Sequence, residues 1–211
     1  LLVRRPPIST LFPYPTPFRS PLMPAYRQPE PHRIVQAPEL GFDSHAGGLL
    51  EIGYSGDAFH YDSESPRHPT HLAPYALANR PVTNRDWIAF IEDGGYDTQT
   101  LWLSDGWATC QREAWDAPLY WWRQDDGWWS FTLRGAQPVA LDAPVVHVSY
   151  YEADAFAHWA GARLPTEAEH ETAFCNRPIA GNFADTNVFC PLPGDGVWGD
   201  VWEWTQSPYT P

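Results

Sequence analysis

Two helix starts lie close together in this chain, and they constrain its fold more than any other feature. Ser149 is followed three residues later by Glu152, and Thr166 by Glu169. In each pair the hydroxyl can take the third helical amide while the carboxylate reaches back to the cap amide, the reciprocal arrangement of a capping box. After Ser149, Ala153, Phe156, Ala157 and Ala160 recur on one helical face beside Trp159, Glu152 and Asp154 place negative charge at the positive helix end, and Gly161 stops the run. Arg163-Leu164-Pro165 must then leave the α region, because the residue before proline avoids it, and Thr166 opens a second helix. The stretch 146–174 therefore predicts two short helices joined by one sharp turn, a corner of an α+β domain.

The 211 residues suit one domain, with or without a tail. Twelve Trp, ten Tyr, ten Phe and 23 Pro predict a loop-rich fold held by large rings, with sparse regular structure. A formal charge of −13 with no Lys argues against nucleic acid and anionic membrane as partners. No apolar run approaches the roughly 18 residues of a spanning helix and no secretion signal opens the chain, so the expected location is the cytoplasm. Cys110, Cys175 and Cys190 are odd in number and far apart, which predicts free buried thiols rather than a disulfide framework or zinc site.

Along the chain, residues 1–20 have irregular prolines and no periodicity and are expected to be disordered; PPISTLFPYPTPFRS reads either as a proline-rich linker or, by its resemblance to translated adapter sequence, as an artefact. Residues 21–39 stay Pro-rich and polar, as an interdomain linker would, and a globular domain is expected over 40–211. Leu50–Gly53 and Thr70–Leu77 alternate as strands and are expected to pair with each other. Thr83 caps a predicted helix over Asn84–Asp93 that Gly94-Gly95 ends. Leu119–Trp122 and Trp128–Leu133 flank Asp125-Asp126-Gly127 as a β-hairpin, whose Trp side chains favour core packing over an exposed ligand platform. Val201-Trp202-Glu203-Trp204-Thr205 alternates with period two, sending both Trp to one face and Glu203 to the other, inward face, where a buried carboxylate needs a partner.

The run VSYYEADAFAHWAGARLPTEAEHE resembles the signature of the formylglycine-generating-enzyme and sulfatase-modifying-factor superfamily, V-S-W-x-x-A-x-x-Y-x-x-W-x-G-x-R-L-P-T-E-A-E-W-E. Pro81-Val82-Thr83-Asn84 and Gly199–Thr205 look like two further landmarks in the right order. The resemblance implies a C-type-lectin-like α+β fold of short helices, short antiparallel strands and much irregular structure. GGY, LWLSDGW and APLYW further resemble the ergothioneine-biosynthesis sulfoxide synthases, or hercynine oxygenases. That branch implies an iron(II)- and O2-dependent enzyme joining a cysteine-derived thiol, γ-glutamylcysteine or cysteine, to hercynine. Its iron is held by an N-terminal DinB-like domain bearing H-x-x-x-H-x-E, and its catalytic and substrate residues fall beyond Pro211. On this reading the chain is a fragment truncated at both ends, inactive alone, and carries no catalytic residue. Alternatives are a formylglycine-generating oxidase and a non-catalytic lectin-like ligand-binding module.

His68 and His71, with His60, are the nearest approach to a metal cluster, but residues i and i+3 of one strand point to opposite faces. His147 and His158 flank the first capping box and read as ordinary solvated or hydrogen-bonded imidazoles. The superfamily resemblance implies calcium bound through Gly199 and Val201 carbonyls and Glu203. Two departures weaken that site: Gly196 stands where an Asn is expected, and Asp200 replaces another Asn. His170 stands in place of the signature Trp and takes a large ring from below the second helix.

Overall fold

The computed structural model describes residue 26, residues 36–194 and residues 197–208. The 1–20 segment, most of the 21–39 linker, Gly196 and Tyr209 lie outside the described residues. Where the linker meets the body, Arg80 donates to the Pro38 carbonyl at 2.8 Å and Asn79 to that of Glu39 at 3.3 Å.

Among the described residues, seven strands and four α-helices form the body. Strands β1 (Phe42–His45), β2 (Gly48–Ile52), β3 (His68–Leu72) and β4 (Tyr75–Ala78) come first. The expected strand over Thr70–Leu77 breaks at Ala73-Pro74, where proline lacks the amide that a continuous ladder needs. Its first half, as β3, pairs antiparallel with β2 in the register Gly48↔Leu72 to Ile52↔His68. Its second half is β4, which pairs instead with β1, Phe42 opposite Ala78. One predicted hairpin is thus two separate two-stranded ribbons.

Helix α1 spans Asn84–Glu92 behind the Thr83 capping box, as its sequence predicts. The landmark around it is stitched to the 140–145 loop: Asn84 N–H donates to Ala143 O at 2.9 Å, the Asn84 side chain to Ala140 O at 2.8 Å, and Val145 N–H to Val82 O at 2.9 Å. Helix α2 (Ser104–Glu113) is absent from the sequence reading. It starts on Leu103 with no side-chain cap and carries Gly106 in its first turn, so neither its start nor its propensity stands out. A Cβ at Gly106 would come within 2.6 Å of Tyr151 Cβ, so glycine lets α2 approach the next helix.

Strands β5 (Trp121–Gln124) and β6 (Gly127–Thr132) form the predicted hairpin, Gln124 opposite Gly127, and β7 (Gly135–Pro138) adds a third strand along β6. Gly-Ala-Gln-Pro has no β-branched or aromatic residue, and the sequence pattern does not reveal it. Helices α3 (Tyr150–Trp159) and α4 (Glu167–Phe174) then begin behind the two capping boxes read above, and Gly161 takes φ +69° after the end of α3.

The main core joins α1, α2 and α3 through Trp87, Phe90, Tyr96, Trp102, Cys110, Ala155 and Phe156. Trp87 stacks on Phe156 at 5.0 Å, and Phe90 meets both edge-on. Glu152 is 2 % exposed in their midst. Its Oε2 accepts from Ser149 N–H at 2.8 Å and its Oε1 from the Tyr96 hydroxyl at 2.7 Å, while Trp87 Nε1–H donates to that hydroxyl at 3.4 Å. The capping carboxylate of α3 therefore also satisfies the polar tip of the aromatic core. A smaller cluster of Ala117, Trp121 and Val139 seats the β5–β7 sheet.

Candidate functional site

The third landmark, residues 199–205, meets the α3–α4 corner. The corner is stiff because its caps are tied across elements. Arg163 forks onto Glu169, Nη1 to Oε2 at 2.8 Å and Nη2 to Oε1 at 2.6 Å, while Thr166 N–H donates to the same carboxylate at 2.8 Å. The Arg163 guanidinium holds the Glu169 carboxyl at about 2, well below its ordinary 4.5. Both ribbons hang from α4: Tyr75 O–H donates to Glu169 O at 2.9 Å, and Gly53 N–H to Glu171 Oε1 at 2.8 Å.

The 203–207 segment is laid along this corner by three bonds. Trp204 Nε1–H donates to Val148 O at 3.1 Å, Gln206 N–H to Pro165 O at 2.8 Å, and Glu167 N–H to the Ser207 hydroxyl at 3.0 Å. No strand forms over 201–205, because no neighbouring strand offers a ladder there. The expected period-two alternation does not form, and Glu203, expected on an inward face, is not enclosed. Its side chain keeps 31 % exposure, and its partner is His170, whose Nε2 lies 3.3 Å from Glu203 Oε2. Trp202 is wholly in water, and Trp204 packs edge-on against Tyr150 at 6.1 Å.

Gly199, with φ +91°, lies against Asn182, where a Cβ would come within 2.8 Å of backbone. Beside it Asp200 Oδ1 accepts from Asn182 Nδ2 and from Leu192 N–H, both at 2.8 Å. These contacts floor a cleft of about 430 Å³ lined by Arg177, Asn182, Trp198 and Asp200 among others, a volume in the range of small-molecule pockets. Nothing in the spacing of those residues marks it in the sequence. A second hollow of about 70 Å³ between β6, β7 and the α1 start has room for a water or two.

Among the described residues the donors that the resemblance implies, the Gly199 and Val201 carbonyls and the Glu203 carboxylate, fall short of the about six to eight oxygens that calcium takes, and that carboxylate already faces an imidazole. Iron ligands fare no better. His68 and His71 are both exposed on β3, and His68 Nδ1 lies 2.9 Å from the Pro66 carbonyl. His60 Nδ1 is 3.0 Å from Ala58 O, and His158 sits 3.4 Å from Asp154 on α3. His147, at φ +63°, is edge-on to Tyr120. Among the described residues no group of three or more His, Cys, Asp or Glu is placed to hold a metal ion. No disulfide joins the three cysteines, and against the expectation of burial only Cys110 is buried; Cys175 is exposed and Cys190 half-buried. No helix among the described residues is long and apolar enough to cross a membrane.

Comparison with known proteins places these elements in a family. Residues 41–186 match the model of the sulfatase-modifying factor enzyme 1-like domain. The hercynine oxygenase of Mycolicibacterium thermoresistibile is 35 % identical over 192 residues, covering 77 % of this chain and 42 % of that protein. That of Mycolicibacterium smegmatis is 36 % identical over 78 % of this chain and 45 % of its own length. The formylglycine-generating enzyme of Thermomonospora curvata is 33 % identical over 72 % of this chain and 54 % of its own. The chain thus spans under half the length of the hercynine oxygenases it matches. With most of its length matched, the chain belongs to the sulfatase-modifying factor enzyme 1-like domain family, and is similar within it to hercynine oxygenases.

Proposed function

We propose that this chain is the sulfatase-modifying-factor-like part of a sulfoxide synthase that joins a cysteine-derived thiol to hercynine in the cytoplasm, with iron(II) and O2. The observation that carries the reading is the likeness to hercynine oxygenases over more than three quarters of the chain. The Trp-rich stretch 96–135, which builds α2 and most of the β5–β7 sheet, holds the motifs that the sequence reading ties to that branch. Iron(II) would supply oxygen activation. None of the described residues is assigned to hold it; on this reading its ligands belong to a DinB-like domain of the same protein. The part of this chain is geometric. Capped helices and the Arg163–Glu169 fork give the 203–207 segment a rigid wall to lie on, and rigid support is what a reacting pair needs.

The formylglycine-generating relatives keep a second reading open, oxidation of a peptidyl cysteine. The parent protein, given hercynine, γ-glutamylcysteine, iron(II) and air, is expected to yield the sulfoxide by mass spectrometry. Conversion of a cysteine peptide to formylglycine, with no sulfoxide, would replace the first reading by the second. The 211-residue chain alone is expected to bind no stoichiometric iron(II) and to make no product. Tight iron binding that is lost in His68→Ala or His71→Ala would move the metal site into this domain.

A further inference from the structure

The geometry points to His170 as the group that holds Glu203 where the family resemblance implies a divalent cation, making the tie between α4 and the 201–205 segment independent of metal. Four observations converge on the pair. First, His170 Nε2 is buried and makes no aligned hydrogen bond, and Glu203 Oε2 stands 3.3 Å away. With a small turn of either side chain, an imidazole that carries its proton on that nitrogen would donate it to the carboxylate.

Second, the ring is oriented. It lies edge-on to Phe174, one turn further along α4, with centroids 4.8 Å apart and planes at 68°. Third, Glu203 is delivered rather than free to swing. The Trp204, Gln206 and Ser207 bonds to Val148, Pro165 and Glu167 set the path of the segment, and on that path Glu203 comes within reach of His170 on α4. Both side chains are only 25 % and 31 % exposed, which strengthens a polar contact relative to one in open water.

Fourth, the competing ligand set is thin. A hard cation favours oxygen donors, and a ring nitrogen beside Oε2 occupies the approach that such an ion would need.

Thermal melts of the 211-residue chain test this, in chelator and in millimolar calcium. The wild-type Tm is expected to be the same in both. His170→Phe, which keeps a ring but no nitrogen, and Glu203→Gln are each expected to lower Tm by about 2–4 °C, and the double variant no further than the larger single change. His170→Gln, which keeps a donor, should recover part of the loss. A calcium-dependent rise in wild-type Tm that Glu203→Gln removes would overturn the proposal, because Glu203 would then be a calcium ligand. Full additivity of the two losses would also overturn it, because the side chains would then act apart. Should His170→Phe not fold, the wild-type and Glu203→Gln calcium arms still decide.

Discussion

Tryptophan lives two different lives on two sides of helix α3. At one side Trp87, Phe90 and Phe156 close around Glu152, and the indole N–H of Trp87, the hydroxyl of Tyr96 and the cap amide of Ser149 converge on one another and on one carboxylate. Near its start, Trp204 leans on Tyr150 at 48 % exposure and Trp202 stands wholly in water, while Glu203 makes do with one imidazole. The ring count of the chain is the same fact for both regions. What differs is whether neighbouring helices supply an enclosure around the rings.

That contrast can be broken by mutation. Phe90→Ala should cost the most, about 3–5 kcal/mol, because a fully buried ring is lost from a triple contact; denaturant unfolding that shows under 1 kcal/mol would mean the core is looser than described. Glu152→Ala should cost about 2–4 kcal/mol, since it orphans the Ser149 amide and the Tyr96 hydroxyl together, and Glu152→Gln should restore part of it. Acid should reach the corner. With its folded value held at about 2 against 4.5 unfolded, Glu169 contributes stability that is complete above pH 4.5 and is lost as pH falls towards 2. After allowance for the half-exposed Arg163, the loss is about 2 kcal/mol, and it should shrink in Arg163→Gln to the share that the Thr166 hydrogen bonds keep; a pH profile unchanged by that variant would sink the assignment. Trp202→Ala should change stability least, within about 0.5 kcal/mol, and a larger loss would show that its ring is covered in solution.

Much of the fold is legible because capping chemistry is local. Thr83, Ser149 and Thr166 each find their acidic partner three residues on, and the three helices they open begin where the sequence puts them. Helix α2 escapes notice since Leu103 supplies no cap and Gly106 spends propensity on the approach to Tyr151. Strand β7 has no pattern of its own and is fixed by its neighbour, Ala136 opposite Phe131. The exchange of partners among β1–β4 depends on a single proline, a cue that marks a break but not the new pairing. The site was the least legible part. Glu203 calls for a partner by its chemistry, yet that His170 is the one follows only from how 203–207 runs past α4, and the hint was a histidine standing where the signature has a larger ring.

The two ribbons bear on the order in which the chain can assemble. Their holds on α4 close contours of 118 residues from Gly53 to Glu171 and 94 from Tyr75 to Glu169. Each spends loop entropy before any contact repays it, whereas α3 and α4 are finished by partners three residues away. A ribosome must also release α4 before either ribbon has anything to grip. The amino-terminal ribbons, though made first, are thus the last parts able to lock, and until then their unpaired edges are the surfaces a chaperone would meet.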